Sequence, residues 1–231
     1  MNLLHIDSSI LGEQSVSRML SRATVERLKE RNPAIDIIHR DLVAVPVPHL
    51  TGDHLAASPA VMDDIAFGEK LLDEFINADV IVIGVALYNL TISSQLRTWI
   101  DRIVIAGKTF RYTENGSEGL AQDKRVILAV ARGGQYRQGM SLASSEHAEA
   151  YLRSMFAFIG VTRLDVIVAE GLAISEAHRE SGKKAAFEAI SVLDPRCDFQ
   201  GALCQVLPDG PWRRSDRTQL KSQPAAYSVP A

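Results

Sequence analysis

DVIVIGVAL, residues 79–87, is the stretch that decides the fold, because it is a nearly continuous apolar run bounded by polar residues. A strand that is apolar at almost every position is expected where both faces of a sheet are covered, as in parallel sheets. The stretch therefore predicts a central parallel strand with helices packed on each side of it.

Four further strands and five amphipathic helices alternate along the chain on either side of this run. The other strands are predicted at 2–7, 35–42, 125–131 and 162–171. Apolar periodicity near 3.6 predicts helices at about 16–31, 61–76, 96–104, 151–159 and 176–193. This alternation predicts an α/β fold, a three-layer doubly wound five-stranded parallel sheet with the flavodoxin-like strand order 2-1-3-4-5.

Composition excludes several classes of protein. The chain has 231 residues, 46% of them apolar, and a net charge of −3, which disfavours a general nucleic-acid surface. No apolar run approaches the roughly 20 residues of a membrane helix, and the start, MNLLHIDSS, has no secretory pattern. With only Cys197 and Cys204, no structural disulfide framework is expected. We expect a cytoplasmic protein with no nucleic-acid or membrane partner.

The composition changes at Asp194. The last 38 residues hold five of the nine prolines and show no sustained periodicity. We predict one domain over 1–193 and a disordered C-terminal tail over 194–231. Four basic residues in the tail could dock an acidic partner, although a solvated tail is the favoured interpretation; they are Arg213, Arg214, Arg217 and Lys221.

Doubly wound sheets of this order bind ligands beyond the C-terminal ends of their strands, at the switch point between strands one and three. The turns expected there are SSILGEQSVS (8–17), ALYNLTIS (86–93) and RGGQY (132–136). In the first, the hydroxyls of Ser9, Ser15 and Ser17 and a helix N-terminus could hold a phosphate monoester without a lysine. The alternative is a serine-rich helix cap that holds no ligand.

The other two turns offer a surface for a planar ring. The second turn supplies apolar side chains and backbone polar groups, from Leu87, Tyr88, Asn89 and Leu90. Gly133 and Gly134 let the third turn approach a ligand closely. Arg132 either strengthens the field at that ligand or pairs with a surface acid, and Tyr136 either covers the ring or is an ordinary loop aromatic.

Over 1–193 the chain resembles the FMN-dependent NADH-azoreductase family, which also comprises NADH:quinone oxidoreductases. The resemblance rests on SSIL and SxS (8–17), RDL (40–42), the stretch 79–102, AGKTFRYTENGSEGL (106–120), ARGG (131–134), FAFIGVT (156–162) and AEG (169–171). TFRYTENGxEGL is the most specific of these motifs. Relatives often read PMYNF where this chain reads ALYNL, and often carry a serine where this chain has Ala131.

The resemblance implies a set of site residues. Phosphate contacts fall on Ser9, Ser15, Val16 and Ser17; ring contacts fall on Leu87, Tyr88, Asn89, Leu90, Ala131, Arg132, Gly133 and Gly134. Tyr112 and Phe158 are placed near the substrate, and Tyr136 is grouped with them as a pocket residue. The resemblance also implies a homodimer with the flavin at the subunit interface.

The implied function is that of an FMN-dependent NAD(P)H oxidoreductase. It would reduce quinones by two electrons and reductively cleave azo compounds to amines, by ping-pong hydride transfer through FMN with NADH or NADPH as donor. The alternative is a flavodoxin-like electron carrier without its own small-molecule substrate. The FRYTENG extension argues against a carrier, because a carrier needs no additional pocket wall. No catalytic side chain is assigned.

Several other polar residues have simpler interpretations. His5 is expected in the core or at a sheet edge. Asp7 could be a catalytic carboxylate, although capping or orienting the serine turn is the favoured interpretation. His49 and His54 lack accompanying Cys or carboxylate ligands, so no metal site is predicted. Asp101 and Arg102 are expected to be surface or interface charges.

Overall fold

The computed structural model describes residues 1–194 and places seven strands in this part of the chain. They are β1 (Asn2–Asp7), β2 (Asp36–Asp41), β3 (Val80–Ala86), β4 (Phe110–Thr113), β5 (Gly116–Gly119), β6 (Arg125–Ala131) and β7 (Arg163–Ala169). Five of them form a parallel sheet in the order β2-β1-β3-β6-β7. Counted within the sheet alone, this is the predicted order 2-1-3-4-5, which is confirmed.

Helices cover both faces of the sheet. They are α1 (Val16–Lys29), α2 (Gly52–Leu55), α3 (Met62–Asn77), α4 (Ser94–Ile103), α5 (Ala148–Phe158) and α6 (Glu176–Val192). One apolar core, with Phe75, Trp99 and Phe156, joins the sheet to α3, α4 and α5. A second core, with Leu20 and Ile190, joins the other face to α1 and α6. No helix of residues 1–194 combines the length and apolar character that crossing a bilayer requires.

The apolar run at 79–87 contains the central strand. All seven residues of β3 are buried, and β3 pairs with β1 on one side and β6 on the other. Gly84 is required within it, because a Cβ there would lie 2.8 Å from Asp7 Oδ1 and 3.2 Å from the Ser17 carbonyl oxygen. The glycine therefore lets α1 and the end of β1 approach the central strand closely.

The TFRYTENG segment forms a hairpin, which is not among the strands predicted from the sequence. β4 and β5 pair as antiparallel strands that are separate from the main sheet. Their turn is formed by Glu114 and Asn115, and Gly116, the first residue of β5, has φ of 114°. The dipeptide Asn115-Gly116 is a strong hairpin signal in a sequence, so this hairpin was predictable.

The predicted element boundaries agree with the structure to within a few residues. The loop predicted around Pro46 and Pro48 also contains the short helix α2. The domain boundaries stay a prediction, and the proposed tail lies outside the described residues beyond Asp194.

Candidate functional site

The structure brings the three predicted turns together at the C-terminal edge of the sheet. Parallel register aligns Asp7, at the end of β1, with Gly84, and Ala86 of β3 with Ala131 of β6. The Leu87 N–H then donates to the Ala131 carbonyl oxygen at 3.0 Å. The turns that follow β1, β3 and β6 are therefore neighbours, as the switch-point rule requires.

The serine turn is closed by hydrogen bonds at its two ends. Ser15 caps α1, since its Oγ accepts a hydrogen bond from the Arg18 N–H at 3.3 Å, and it lies 3.0 Å from Ser17 Oγ. At the other end, the Ser9 hydroxyl lies 3.0 Å from the hydroxyl of Tyr88. Ser9, Ser15 and Ser17 are buried, and Val16 begins the helix between the last two.

This turn fits a phosphate monoester. Three hydroxyls and the N-terminus of a 14-residue helix converge on one turn, and the hydroxyls bond one another or Tyr88. Hydroxyls rotate at little cost, so they can exchange these partners for phosphate oxygens. The unpaired N–H groups of the first helical turn and the helix dipole favour an anion at the same place.

The second turn is held in an uncommon backbone conformation. Asn89 and Leu90 have φ of 46° and 70°, in the left-handed region that asparagine tolerates but leucine seldom adopts. The Leu90 carbonyl oxygen accepts a hydrogen bond from the His147 N–H at 3.0 Å, which ties the turn to the start of α5. Strain of this kind persists where surrounding structure enforces it, and it is common at ligand sites.

The third turn leaves two backbone donors for a ligand. The carbonyl oxygens of Gly133 and Gly134 accept hydrogen bonds from Ala173 and Gly171 in the loop after β7, at 2.9 and 2.8 Å. Within residues 1–194, no hydrogen bond engages the N–H group of either glycine. The loop is therefore anchored on one side and carries two unused donors, as expected for contacts with the polar edge of a flavin ring.

Arg132 pairs with acids, which was one of the two alternatives, but it is buried rather than on the surface. Its Nη2 donates to Glu149 Oε2 at 2.5 Å and lies 3.5 Å from Glu146 Oε1. The positive charge beside the third turn is therefore largely balanced by carboxylates of the α5 region. Its side chain fixes the loop to α5 rather than pointing freely into a ligand site.

The predicted pocket aromatics occupy two separate places. The ring of Tyr136 lies over Gly134, where an added Cβ would be 3.2 Å from the ring. Tyr112 and Phe158 both contact Phe110, with ring centroids 5.3 and 4.6 Å from it, and both are exposed. Among the described residues, no hydrogen bond or ring contact joins this hairpin cluster to the three turns.

Sequence reasoning missed a buried polar network behind the serine turn. Arg18 makes a two-point hydrogen bond with Asp41, at 2.6 and 2.7 Å, and its Nη1 lies 4.0 Å from Asp7 Oδ2. The hydrogen bond from Arg18 is the main reason that the pKa of Asp41 falls from 3.8 to about 2. The arginine one turn into a serine-capped helix, together with the RDL motif, was the available signal.

Asp7 does not orient the serine turn directly, so that prediction was wrong. Its carboxylate accepts hydrogen bonds from Ser21 Oγ at 2.8 Å and from His39 Nε2 at 3.0 Å, and His5 Nε2 lies 3.6 Å away. Burial alone would raise the pKa of Asp7. The pKa is nevertheless lowered, because His5 contributes a hydrogen bond and a charge interaction, and Ser21 and His39 contribute further hydrogen bonds. The reason is the strand period, which turns Asp7 toward the same face as His5.

His5, Asp7 and His39 offer three ligand atoms within 4.8 Å of one another. The two imidazole rings are stacked, with centroids 4.6 Å apart and an angle of 29° between their planes. Both Nε2 atoms lie near Asp7 Oδ2, at 3.6 Å for His5 and 3.0 Å for His39, and His5 Nε2 also lies 2.9 Å from Ser21 Oγ. The arrangement therefore favours the observed hydrogen bonds. The burial of His5 agrees with its expected place in the core.

Arg102 is not a surface charge, which corrects the prediction. It is 1% exposed, and its Nη2 donates to the Pro48 carbonyl oxygen at 2.9 Å and lies 3.1 Å from His54 Nε2. The segment that contains α2 folds over this part of α4 and buries the guanidinium. Asp101 remains partly exposed and pairs with Arg97 at 3.1 Å.

A cleft of about 290 Å³ lies between the third turn and α6. Its lining includes Arg132, Gln135, Glu170, His178 and Ser181. No residue of the first or second turn contributes to it. The cleft is therefore a neighbour of the candidate cofactor site and a separate feature from it.

Comparison with known proteins agrees with this fold. A family model described as the flavodoxin-like fold matches residues 1–193. An FMN-dependent NADH:quinone oxidoreductase of Xanthomonas campestris is 52% identical over 202 residues, which cover 84% of this chain and 99% of that protein.

Two solved structures are also similar. An azoreductase from Bacillus anthracis str. Sterne is 32% identical with a TM-score of 0.75, covering 83% of this chain and 97% of that chain. An FMN-dependent NADH-azoreductase from B. anthracis str. Ames Ancestor, in complex with FMN, is 26% identical with a TM-score of 0.74, covering 83% and 98%. The chain thus belongs to the flavodoxin-like family of FMN-dependent NADH:quinone oxidoreductases and azoreductases.

Proposed function

We propose that the protein is an FMN-dependent oxidoreductase that takes electrons from NADH, reduces quinones by two electrons and cleaves azo compounds to amines. Membership of the family supports the activity. The observation in the structure that carries the proposal is the meeting of three turns at the switch point. One is a serine-lined helix N-terminus, and another has two unused glycine N–H groups.

The serine turn is the proposed binding site for the cofactor phosphate. Ser9, Ser15 and Ser17 would supply hydroxyl donors, and the N–H groups at Val16 and Ser17 would supply the helix N-terminal donors. The terminal phosphate of FMN is only a point of attachment. Neutral donors are therefore sufficient, and the lysine of enzymes that transfer a phosphoryl group is not required.

The second and third turns are the proposed site of the ring. Leu87 and Leu90 offer apolar surface, Tyr88 and Asn89 complete that turn, and Ala131 and Arg132 lead into the two glycines. Bound FMN would supply the two-electron hydride chemistry. The N–H groups of Gly133 and Gly134 would stabilise negative charge that develops along the polar edge of the ring. Because Arg132 is paired with Glu149, these neutral donors carry most of that role.

A homodimer with the flavin at the subunit interface is part of the proposal. Apolar side chains are exposed within the turns themselves, with Ile10 at 57% and Leu11 at 56% in the first turn and Leu90 at 40% in the second. Exposed apolar groups gathered around a ligand site are typical of a surface that a partner or a ligand covers. The hairpin aromatics Tyr112 and Phe158, with Tyr136, are proposed to border the substrate. A cytoplasmic location stays a prediction from the sequence.

The visible spectrum of the purified full-length protein, before and after anaerobic NADH, tests the proposal. We expect a two-band flavin spectrum that bleaches with NADH, and heat release of FMN rather than FAD. Adding a simple quinone without any partner protein should restore the oxidised spectrum, which an electron carrier would not do efficiently. A protein that is colourless and does not quench FMN fluorescence would refute the proposal. Double-reciprocal plots that intersect would refute a ping-pong scheme.

A further inference from the structure

One residue, Arg18, forms hydrogen bonds with both ends of the serine turn. The backbone N–H of Arg18 donates to the Ser15 cap, while its side chain reaches back to the other end. Its Nε and Nη2 donate to the Ser9 carbonyl oxygen at 3.2 and 2.9 Å. The residue is 7% exposed, so these bonds are shielded from water.

Asp41 holds the guanidinium in this orientation. Its two carboxylate oxygens accept from Nη1 and Nη2, and Oδ1 also accepts from the N–H groups of Val43 and Ala44, at 3.0 and 3.3 Å. The carboxylate is therefore fixed by its own loop after β2. A planar guanidinium can bridge a carboxylate and a carbonyl group at once, whereas a lysine ammonium lacks that fork geometry.

We infer that Arg18 is a positioning residue for the phosphate end of the flavin and acts through the Ser9 carbonyl group. This inference rests on the proposed function, because it takes the serine turn as the phosphate site. Arg18 fixes the peptide of Ser9, whose hydroxyl lies beside that of Tyr88. Other hydrogen bonds within the turn, such as that from the Ser15 N–H to the Gly12 carbonyl oxygen at 3.1 Å, are local, whereas the Arg18 side chain joins Ser9 to α1.

Arg18 acts on the proposed phosphate site mainly by positioning the Ser9 peptide, and its charge contributes little. The positive charge of Arg18 is balanced by Asp41, and Asp7 adds a further carboxylate 4.0 Å away. The pair therefore contributes little net attraction for a phosphate. Two hydrogen bonds to one carbonyl oxygen, in contrast, directly fix the position of the peptide that carries Ser9.

Binding of FMN and of riboflavin, which lacks the phosphate, separates this role from a general loss of structure. Both dissociation constants can be measured by flavin fluorescence quenching on the apoprotein, for wild type and Arg18→Met. We expect the dissociation constant for FMN to rise about tenfold or more, while that for riboflavin changes less than about twofold. Arg18→Lys should recover only part of the FMN affinity, because lysine keeps the charge and loses the fork.

Lys29→Met is the matched control, because Lys29 lies on the same helix and its exposed ion pair with Glu26 is outside the serine turn. It should leave both dissociation constants unchanged. Equal weakening of FMN and riboflavin in Arg18→Met, unchanged FMN affinity, or full rescue by lysine would overturn the inference. If Arg18→Met does not fold, Asp41→Asn provides the same comparison, with a smaller loss confined to FMN. A loss shared by riboflavin would count against the inference.

The wild-type protein distinguishes failure of this inference from failure of the proposed function. If it binds FMN no more tightly than riboflavin, the phosphate site itself is wrong. If it prefers FMN and Arg18→Met keeps that preference, only the role of Arg18 is wrong.

Discussion

The hydroxyl group of Tyr88 lies 3.0 Å from that of Ser9, although 79 residues separate them in the chain. Tyr88 Oη also accepts a hydrogen bond from the Ile10 N–H at 3.3 Å. One side chain thus joins the turn proposed for the phosphate to the turn proposed for the ring. The two ends of the proposed cofactor site are therefore joined by direct hydrogen bonds.

Tyr88→Phe should weaken FMN binding by removing this link. A hydrogen bond of this kind contributes about 0.5–1.5 kcal/mol, so we expect the dissociation constant to rise roughly two- to thirteenfold. Fluorescence quenching measures it. The control is Tyr151→Phe, which removes a tyrosine hydroxyl that bonds Arg97 at 2.7 Å on an exposed surface. An equal effect of the two variants would contradict the proposed link.

Gly84→Ala should strongly destabilise the fold. The new Cβ would lie within 3.2 Å of a backbone carbonyl oxygen and of the Asp7 carboxylate, which its own hydrogen bonds hold in place. We expect a loss of about 1–3 kcal/mol in the free energy of unfolding, measured with urea. Gly52→Ala is the matched control, since a Cβ added there would meet no atom within 4 Å. A stable Gly84→Ala variant would show that α1 can move away from β3.

The Arg18–Asp41 pair should make stability depend on pH in the acid range. The folded-state pKa of Asp41 is about 2, below its ordinary value of 3.8, so the stabilisation is complete above about pH 4. It is lost as the pH falls through about 2. Urea unfolding of wild type and Asp41→Asn should therefore differ by up to about 2 kcal/mol at pH 6. That difference should shrink between pH 4 and 2; a constant difference would contradict the assignment.

Phe158→Ala should change substrate affinity without changing cofactor affinity. Phe158 is 37% exposed and packs on Phe110 of the hairpin, in the region proposed to border the substrate. We expect the KM for a quinone to rise several-fold while the dissociation constant for FMN stays the same. Phe187→Ala, at 39% exposure on α6, is the control and should affect neither quantity. An unchanged KM in Phe158→Ala would remove this residue from the pocket.

The sheet was predictable because its signals are local. Apolar runs such as 79–87 and helices of regular period determine the layers, and the handedness of crossover connections leaves few possible strand orders. The three turns follow from that order, since each comes directly after a strand. The strand order therefore gave the place of the candidate site, and the side chains of the turns then indicated the kind of ligand.

The errors concern polar residues whose partners lie far away in the chain. Arg102 looks like a surface charge on an amphipathic helix, and only the folding of Pro48 and His54 over it makes it buried. Arg18 was missed for the same reason, because only the fold brings Asp41, 23 positions later, beside it. Periodicity predicts which face of a helix is apolar. It carries no information about a buried ion pair between distant segments.

The hairpin packs against the residues that follow α5 through a direct backbone contact between two glycines, Gly119 and Gly160. A Cβ on Gly119 would lie 2.1 Å from the Gly160 nitrogen, and a Cβ on Gly160 would lie 2.8 Å from the Gly119 carbonyl carbon. For protein engineering, the hairpin can therefore be transferred to another protein only together with the end of α5 on which it packs. Libraries aimed at new electron acceptors should vary Tyr112, which is proposed to border the substrate, and its exposed neighbours. They should keep both glycines, because a side chain at either one would push the hairpin away from the end of α5.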